Sequence, residues 1–181
     1  MLNYKIYIIG ASGTGKTTLA KALSVKLQCV HFDSDDFYHY PTDPPFLKQR
    51  SGEARARLLS QALDRHSSWI LSGGAGTWEP SVKLDPSLVI FLYLPPNIRL
   101  ERLKERESTL YGKRIQQGGD MESIHKEFIE WTEGYDSGQS QGTNLLSAHL
   151  EYLKKLNTPL VKFEKPMTTK EQIDFIIKRL K

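Results

Sequence analysis

The chain has 181 residues, with 25 lysines and arginines against 21 acidic residues, for a net charge of +4. That length fits one domain with a core of its own. No apolar run approaches the ~18 residues of a membrane span, and the single cysteine, Cys29, excludes a disulfide-stapled scaffold. No charged-then-apolar leader precedes the first apolar run, so the expected location is cytoplasmic. The basic residues gather in Arg50–Arg57 and Arg99–Arg114 rather than in one run. That pattern suits small anionic substrates better than nucleic acid.

Tyr4–Ile9 reads as a buried strand, and Leu19, Leu23 and Leu27 recur at i+4 as one face of a helix. Between them Gly10-Ala11-Ser12-Gly13-Thr14-Gly15-Lys16-Thr17 fills G-x-x-x-x-G-K-[ST] without a mismatch. Strand, motif and helix in that order make a phosphate-binding loop. Its glycines allow a tight turn whose N–H groups point inward, and the helix N-terminus adds partial positive charge. Lys16 is placed to reach the β/γ-phosphates of ATP and the Thr17 hydroxyl to ligate Mg²⁺; Thr18 completes the loop.

Cys29–Phe32 is the second strand, ending in Asp33-Ser34-Asp35-Asp36. Phe37–Pro45 contains three prolines and reads as irregular. Ser51–His66 is helical, with Arg50, Arg55 and Arg57 about its start. Trp69–Leu71 is the third strand, stopped by Ser72-Gly73-Gly74-Ala75-Gly76. Pro80–Pro86 reads as a loop, and Leu88–Leu94 is the most apolar strand and therefore central. After Pro95-Pro96, Asn97 caps a helix through Glu107. Thr109–Met121 has the composition of a mobile polar excursion, from which Ile124–Trp131 returns as a helix. Gly134–Thr143 is loop-like, Leu145–Leu156 helical, and Pro159–Phe163 the last strand. Thr168 and Glu171 form a capping box for a final helix, Ile173–Leu180. Five strands alternating with helices, with no hairpin dipeptide, argue for an α/β fold with a parallel sheet covered on both faces.

Ligands in such sheets bind beyond the carboxyl ends of the strands. The third, fourth and fifth strands end without an aspartate, so the acid near Mg²⁺ comes from the second. Asp33 and Asp35, at i and i+2, face the same way in an extended segment. One can serve the metal while the other takes a proton from an attacking hydroxyl. Arg99, Arg102 and Arg106 lie on one helical face and can clamp phosphate; some arginines so placed only solvate a surface, Arg99 first among them. Arg114, in the polar excursion, can close over a nucleotide. Gly73 and Gly74 allow a substrate to approach the backbone closely.

These features resemble the nucleoside-monophosphate-kinase-like branch of P-loop proteins. The resemblance implies a three-layer α-β-α fold with a five-stranded parallel sheet in the order 2-3-1-4-5, in a single domain spanning residues 1–181. It further implies an acceptor-binding insertion at 37–66 and a LID at 107–123. Asp33-Ser34-Asp35 resembles the D-x-D of shikimate kinases, in which the acids handle Mg²⁺ and the acceptor hydroxyl. Asp35-Asp36-Phe37-Tyr38 resembles the D-S-F-Y of uridine kinases, whose Asp is the base. Both place the base at Asp35 and leave Asp33 with Thr17 for the metal. Leu100–Arg106 resembles the run entering the LID of adenylate kinases, which implies Arg102 at the adenine and Arg106, with Arg114, at phosphate. Asp35–Arg50, Trp69–Gly74 and Gly118–Met121 also resemble a bacterial group described as adenylate-kinase-like P-loop ATPases. Two departures set limits. Adenylate kinases follow the third strand with D-G-[FY]-P-R, replaced here by Ser-Gly-Gly-Ala-Gly, and no arginine occurs between Arg114 and Arg179. A hydroxyl acceptor therefore fits better than a second nucleotide phosphate, with Asp35 as base, Arg50 facing an acidic or phosphorylated acceptor, and Gly73-Gly74 at the acceptor as in shikimate kinases. The expectation is an ATP- and Mg²⁺-dependent small-molecule phosphotransferase, as a monomer or homodimer. An ATP-driven regulatory switch and a nucleoside-monophosphate kinase are the alternatives; the D-x-x-G and N-K-x-D of guanine switches do not occur.

Overall fold

Five strands of a computed structural model, β1 (Lys5–Gly10), β2 (Val30–Asp33), β3 (Trp69–Ser72), β4 (Leu88–Leu92) and β5 (Leu160–Phe163), form one sheet. Their order is β2-β3-β1-β4-β5, and every pairing is parallel. The structure describes residues 3–78, 82, 84–140, 142 and 144–180. Parallel strands require a crossover each time. The helices α1 (Lys16–Leu27), α2 (Ser34–Tyr38), α3 (Gly52–Asp64), α4 (Pro96–Tyr111), α5 (Glu122–Ser137), α6 (Leu146–Lys155) and α7 (Thr169–Leu180) occupy the connections.

Alternation along β1 divides the core. Ile6 and Ile8 pack with Leu19, Leu23, Ile90 and Ile176 on the face of α1 and α7. Tyr7 and Ile9 pack with Leu59, Leu63, Val89 and Leu153 on the face of α3 and α6. Both faces of β1 are therefore buried, which is why its strand reads as a continuous apolar run. Among the described residues no helix is long and apolar enough to cross a membrane.

Several boundaries differ from the sequence expectation. The segment after β2 opens as the short helix α2, because the Asp33 side chain accepts from the Asp35 amide and caps it. The irregular stretch follows and is pinned by one antiparallel bridge, His39 to Gln49. Helix α4 starts at Pro96, at its first turn, without a cap from Asn97, and continues past Glu107 to Tyr111. The polar excursion is folded: Gly112–Ile115 is a 3₁₀ turn, Met121 N–H donates to the Arg114 carbonyl at 2.8 Å, and Met121 is buried. Helix α5 runs on to Ser137, so Gly134 is helical, and the left-handed Gly138 ends it. Gly134 lies directly under the Ser140 backbone, an approach that leaves no room for a side chain. The expected loops Pro80–Pro86 and Gly134–Thr143 fall partly outside the described residues. The Thr168–Glu171 capping box is present in both directions, at 2.7 and 3.2 Å.

Candidate active site

The loop between β1 and α1 is closed on itself through the Ala11 carbonyl. It accepts from Thr14 Oγ1 and from Lys16 Nζ, each at 2.8 Å. Gly15 caps α1 without a side chain, and no acidic residue sits in the first turn. The amides of Gly13 to Thr18 thus face an end with net positive potential. Gly13 has φ +80, and a Cβ there would lie 2.6 Å from the Arg99 carbonyl, so α4 presses directly on the loop. Burial at the cleft floor pushes the Lys16 ammonium down to about 8, against the pull of Asp35 and Asp33.

Asp33 ties three elements together at the end of β2. Its Oδ2 accepts from Thr17 Oγ1 of α1 at 2.8 Å and from Ser72 Oγ of β3 at 3.2 Å. Its Oδ1 accepts the Asp35 amide at 3.2 Å. His31 Nε2 meets Ser72 Oγ from the other side at 2.9 Å. A hydroxyl and a carboxylate side by side are hard oxygen donors of the kind that hold Mg²⁺ together with phosphate oxygens and water. Thr17 and Asp33 therefore fit that ion.

Asp35 reaches the site by a different route from the one expected. It stands in the first turn of α2 rather than in an extended strand, so the i, i+2 alternation does not apply. It nonetheless lies close enough to Lys16 for the two charges to act on each other. Surrounding protein and the neighbouring Asp33 push it up to about 6, opposed by Lys16 and Arg106. Asp33 has both oxygens accepting hydrogen bonds, whereas Asp35 combines access with a raised pKa. Of the two, Asp35 has the character of a base.

The end of β3 packs against this pair. Gly73 has φ +116, and a Cβ there would sit 1.9 Å from Ser34 Oγ. The same hydroxyl accepts the Gly74 amide at 3.0 Å. Tyr7, wholly buried in β1, donates to the Gly73 carbonyl at 2.8 Å and accepts the Gly76 amide at 2.9 Å. Ser34, Ser72 and Tyr7 were absent from the expected site residues, although a hydroxyl inside an otherwise aliphatic strand is a signal that Tyr7 has a backbone to hold.

The arginines divide unexpectedly. Arg99 is fully buried, donates to the Leu94 carbonyl at 3.1 Å, and pairs with Asp136 of α5. It supports the loop and does not solvate a surface. Arg102 is exposed on α4. Arg106 is half-exposed, pairs with Glu107 at 2.8 Å, and acts electrostatically on both Lys16 and Asp35. Arg114 pairs with Asp120 at 2.7 Å and Asp43 at 2.6 Å. Arg50, expected at the acceptor, has Nη1 on the carbonyls of Asp36, Phe37 and His39 and its guanidinium over Tyr40. It braces the loop from within. Arg55 of α3, half-buried, lies against aromatic rings instead. Its guanidinium lies 4.3 Å from the Tyr38 ring centre and 5.0 Å from that of Trp78, and its Nε is buried without a hydrogen-bond partner.

Residues 6–130 match the family model described as AAA domain. The chain belongs to that family. Bacillus subtilis YqaC, described as an uncharacterized protein, is 36% identical over 172 residues, covering 95% of this chain and 94% of that one. A shikimate kinase of Bacillus cereus is 30% identical over 133 residues, covering 68% of this chain and 78% of the kinase. Among solved structures, deoxyadenosine kinase from M. mycoides with bound dATP superposes with a TM-score of 0.59 at 18% identity, over 97% of this chain and 98% of that one. That last likeness concerns the fold alone.

Proposed function

We propose that this AAA-domain protein is an ATP- and Mg²⁺-dependent kinase that transfers the γ-phosphoryl group to a hydroxyl of a small molecule with an anionic group. The observation that carries the reading is Asp35, exposed in the cleft beside Lys16 with its pKa raised to about 6. A bare ATP-binding switch has no need for a second carboxylate so tuned. The kinship with a shikimate kinase supports a hydroxyl acceptor.

Loop amides and Lys16 bind the phosphates of ATP. Thr17 and Asp33 would hold Mg²⁺, which would offset the negative charge of the phosphates. Asp35 accepts the hydroxyl proton as the acceptor oxygen bonds to phosphorus and the bond to the ADP oxygen breaks. Arg106 faces the transferred group, and Arg102 lies along α4 for the base of the nucleotide. Gly74 presents backbone to the acceptor, whereas Gly73, packed on Ser34 with its carbonyl held by Tyr7, shapes the turn behind it. Arg55, with an unpaired Nε on the Tyr38–Trp78 platform, replaces Arg50 as the residue that meets the acceptor's anion.

Acceptor-dependent ADP release tests this across hydroxy-acids, phosphorylated alcohols, sugars and nucleosides. Asp35→Asn should remove at least a hundredfold of that release while ATP affinity stays within a few-fold. Arg55→Met should raise the acceptor KM by roughly tenfold or more, an amount typical of a lost charge-assisted hydrogen bond. Wild-type turnover by Asp35→Asn ends the assignment of the base.

A further inference from the structure

Arg114 is held from two directions. Its Nε donates to both oxygens of Asp120, at 3.1 and 3.2 Å, within its own turn. Its Nη2 donates to Asp120 Oδ2 at 2.7 Å and to Asp43 Oδ1 at 2.6 Å. Asp43 belongs to a distant part of the chain, the loop between His39 and Gln49. That loop is braced at its root. Tyr40 N–H donates to the Lys48 carbonyl and Arg50 N–H to the Tyr38 carbonyl, each at 2.8 Å. Arg50 Nη1 donates to Asp36 O at 2.9 Å, to Phe37 O at 3.2 Å and to His39 O. Those carbonyls lie on and just beyond α2, the helix that carries Asp35.

We propose that Asp43 is a positioning residue that docks the turn bearing Arg114 onto the Arg50-braced loop, so that Arg114 and Asp35 are located together. This rests on the kinase reading for its catalytic meaning, but the docking itself does not. Asp120 orients Arg114 within its turn, and Asp43 links that turn to the loop after α2. The pair is exposed, with side-chain exposures of 38% for Arg114 and 80% for Asp43. It is therefore a contact that salt screens. Arg114 can leave Asp43 for a phosphate oxygen while Asp120 keeps its orientation.

The test places nitroxide labels at Leu47→Cys and Leu110→Cys, both exposed positions flanking the contact, in a Cys29→Ser background. Pulsed EPR then reads their separation without acceptor or turnover. The parent should give one narrow distribution, and Asp43→Asn a broad one shifted to longer distance. Asp43→Glu should restore the narrow distribution. One molar salt should broaden the parent and leave Asp43→Asn unchanged. Melting temperatures should stay within about 4 °C of the parent, as for other exposed pairs. An unchanged distribution in Asp43→Asn, or no restoration by Asp43→Glu, overturns the proposal. In the acceptor assay Asp43→Asn should lower kcat by about two- to fivefold, the population shift that loss of one exposed pair allows, with ATP KM within about twofold. Absence of turnover with every acceptor would remove the kinase reading while the EPR result still decides the docking.

Discussion

Gly73 and Gly74 are neighbours that the structure separates into two roles, and alanine at each reads the difference. At Gly73 the backbone has φ +116, and a Cβ would lie 1.9 Å from Ser34 Oγ and 2.9 Å from Ser34 Cβ. The Ser34 side chain is buried and already accepts the Gly74 amide at 3.0 Å, so it cannot swing away without leaving that amide unpaired. The strained conformation costs ~1–3 kcal/mol and the forced repacking another ~1–3 kcal/mol. Gly73→Ala should therefore destabilise by roughly 2–6 kcal/mol and lower Tm by about 5–20 °C for a chain of this size. Gly74 has φ −92, with no atom within 4 Å of its Cβ position. Gly74→Ala should leave stability within about 0.5 kcal/mol and change only the acceptor KM, because the methyl projects into the cleft. Urea unfolding followed by circular dichroism measures the first effect, and acceptor titration the second. Equal stability losses in both variants would refute the separation, as would a Gly73→Ala protein that melts with the wild type.

The pH dependence of kcat/KM should be bell-shaped. Asp35 acts as base only when ionised, so the rate rises with pH through about 6; Lys16 serves phosphate only when protonated, so it falls above about 8. A flat profile between about pH 5 and 9 would contradict both assignments. His149 is fully buried against the Tyr135 hydroxyl, 2.9 Å from its Nδ1, and burial pushes its imidazole down to about 3. Its folded pKa lies below its ordinary 6.5, so the stability linked to neutral His149 is complete above 6.5 and is lost as pH falls towards 3. Relative to His149→Phe, the wild type should lose on the order of 1.4 kcal/mol per pH unit across that window, measured by urea unfolding; parallel curves would refute it.

The loop, the five strands and their alternation with helices were legible because each depends on local pattern. A motif between strand and helix, apolar runs bounded by glycine or proline, and a Thr-x-x-Glu cap can all be read within a few residues. What could not be read depends on where remote segments meet. Arg50 and Arg55 look alike in the sequence; only the fold puts one on its own loop's carbonyls and the other between Tyr38 and Trp78. Arg99 has the spacing of a phosphate clamp, but its face of α4 also carries the buried Leu103 and Glu107, and so turns inward beneath Gly13. Asp33 was open to two readings, because aspartate favours turn and N-cap positions as well as metal sites; the structure shows that it caps α2.

That double use of Asp33 explains how two carboxylates two positions apart come to different chemistry. A carboxylate has two oxygens, and Asp33 commits one to the joint between α1 and β3 and the other to the start of α2. By capping α2 it turns Asp35 out of the strand direction and into the first helical turn, facing Lys16. Its charge, held close by that cap, then raises the Asp35 pKa in addition to burial. Asp33 thus sets the position of Asp35 and contributes to its proton affinity. Asn at position 33 keeps a capping oxygen but not the charge. Asp33→Asn should therefore keep the fold, raise the Mg²⁺ concentration needed for activity, and move the acid limb of the pH profile below 6 towards the ordinary carboxylate range. An acid limb that stays at 6 in Asp33→Asn would mean that burial alone tunes Asp35.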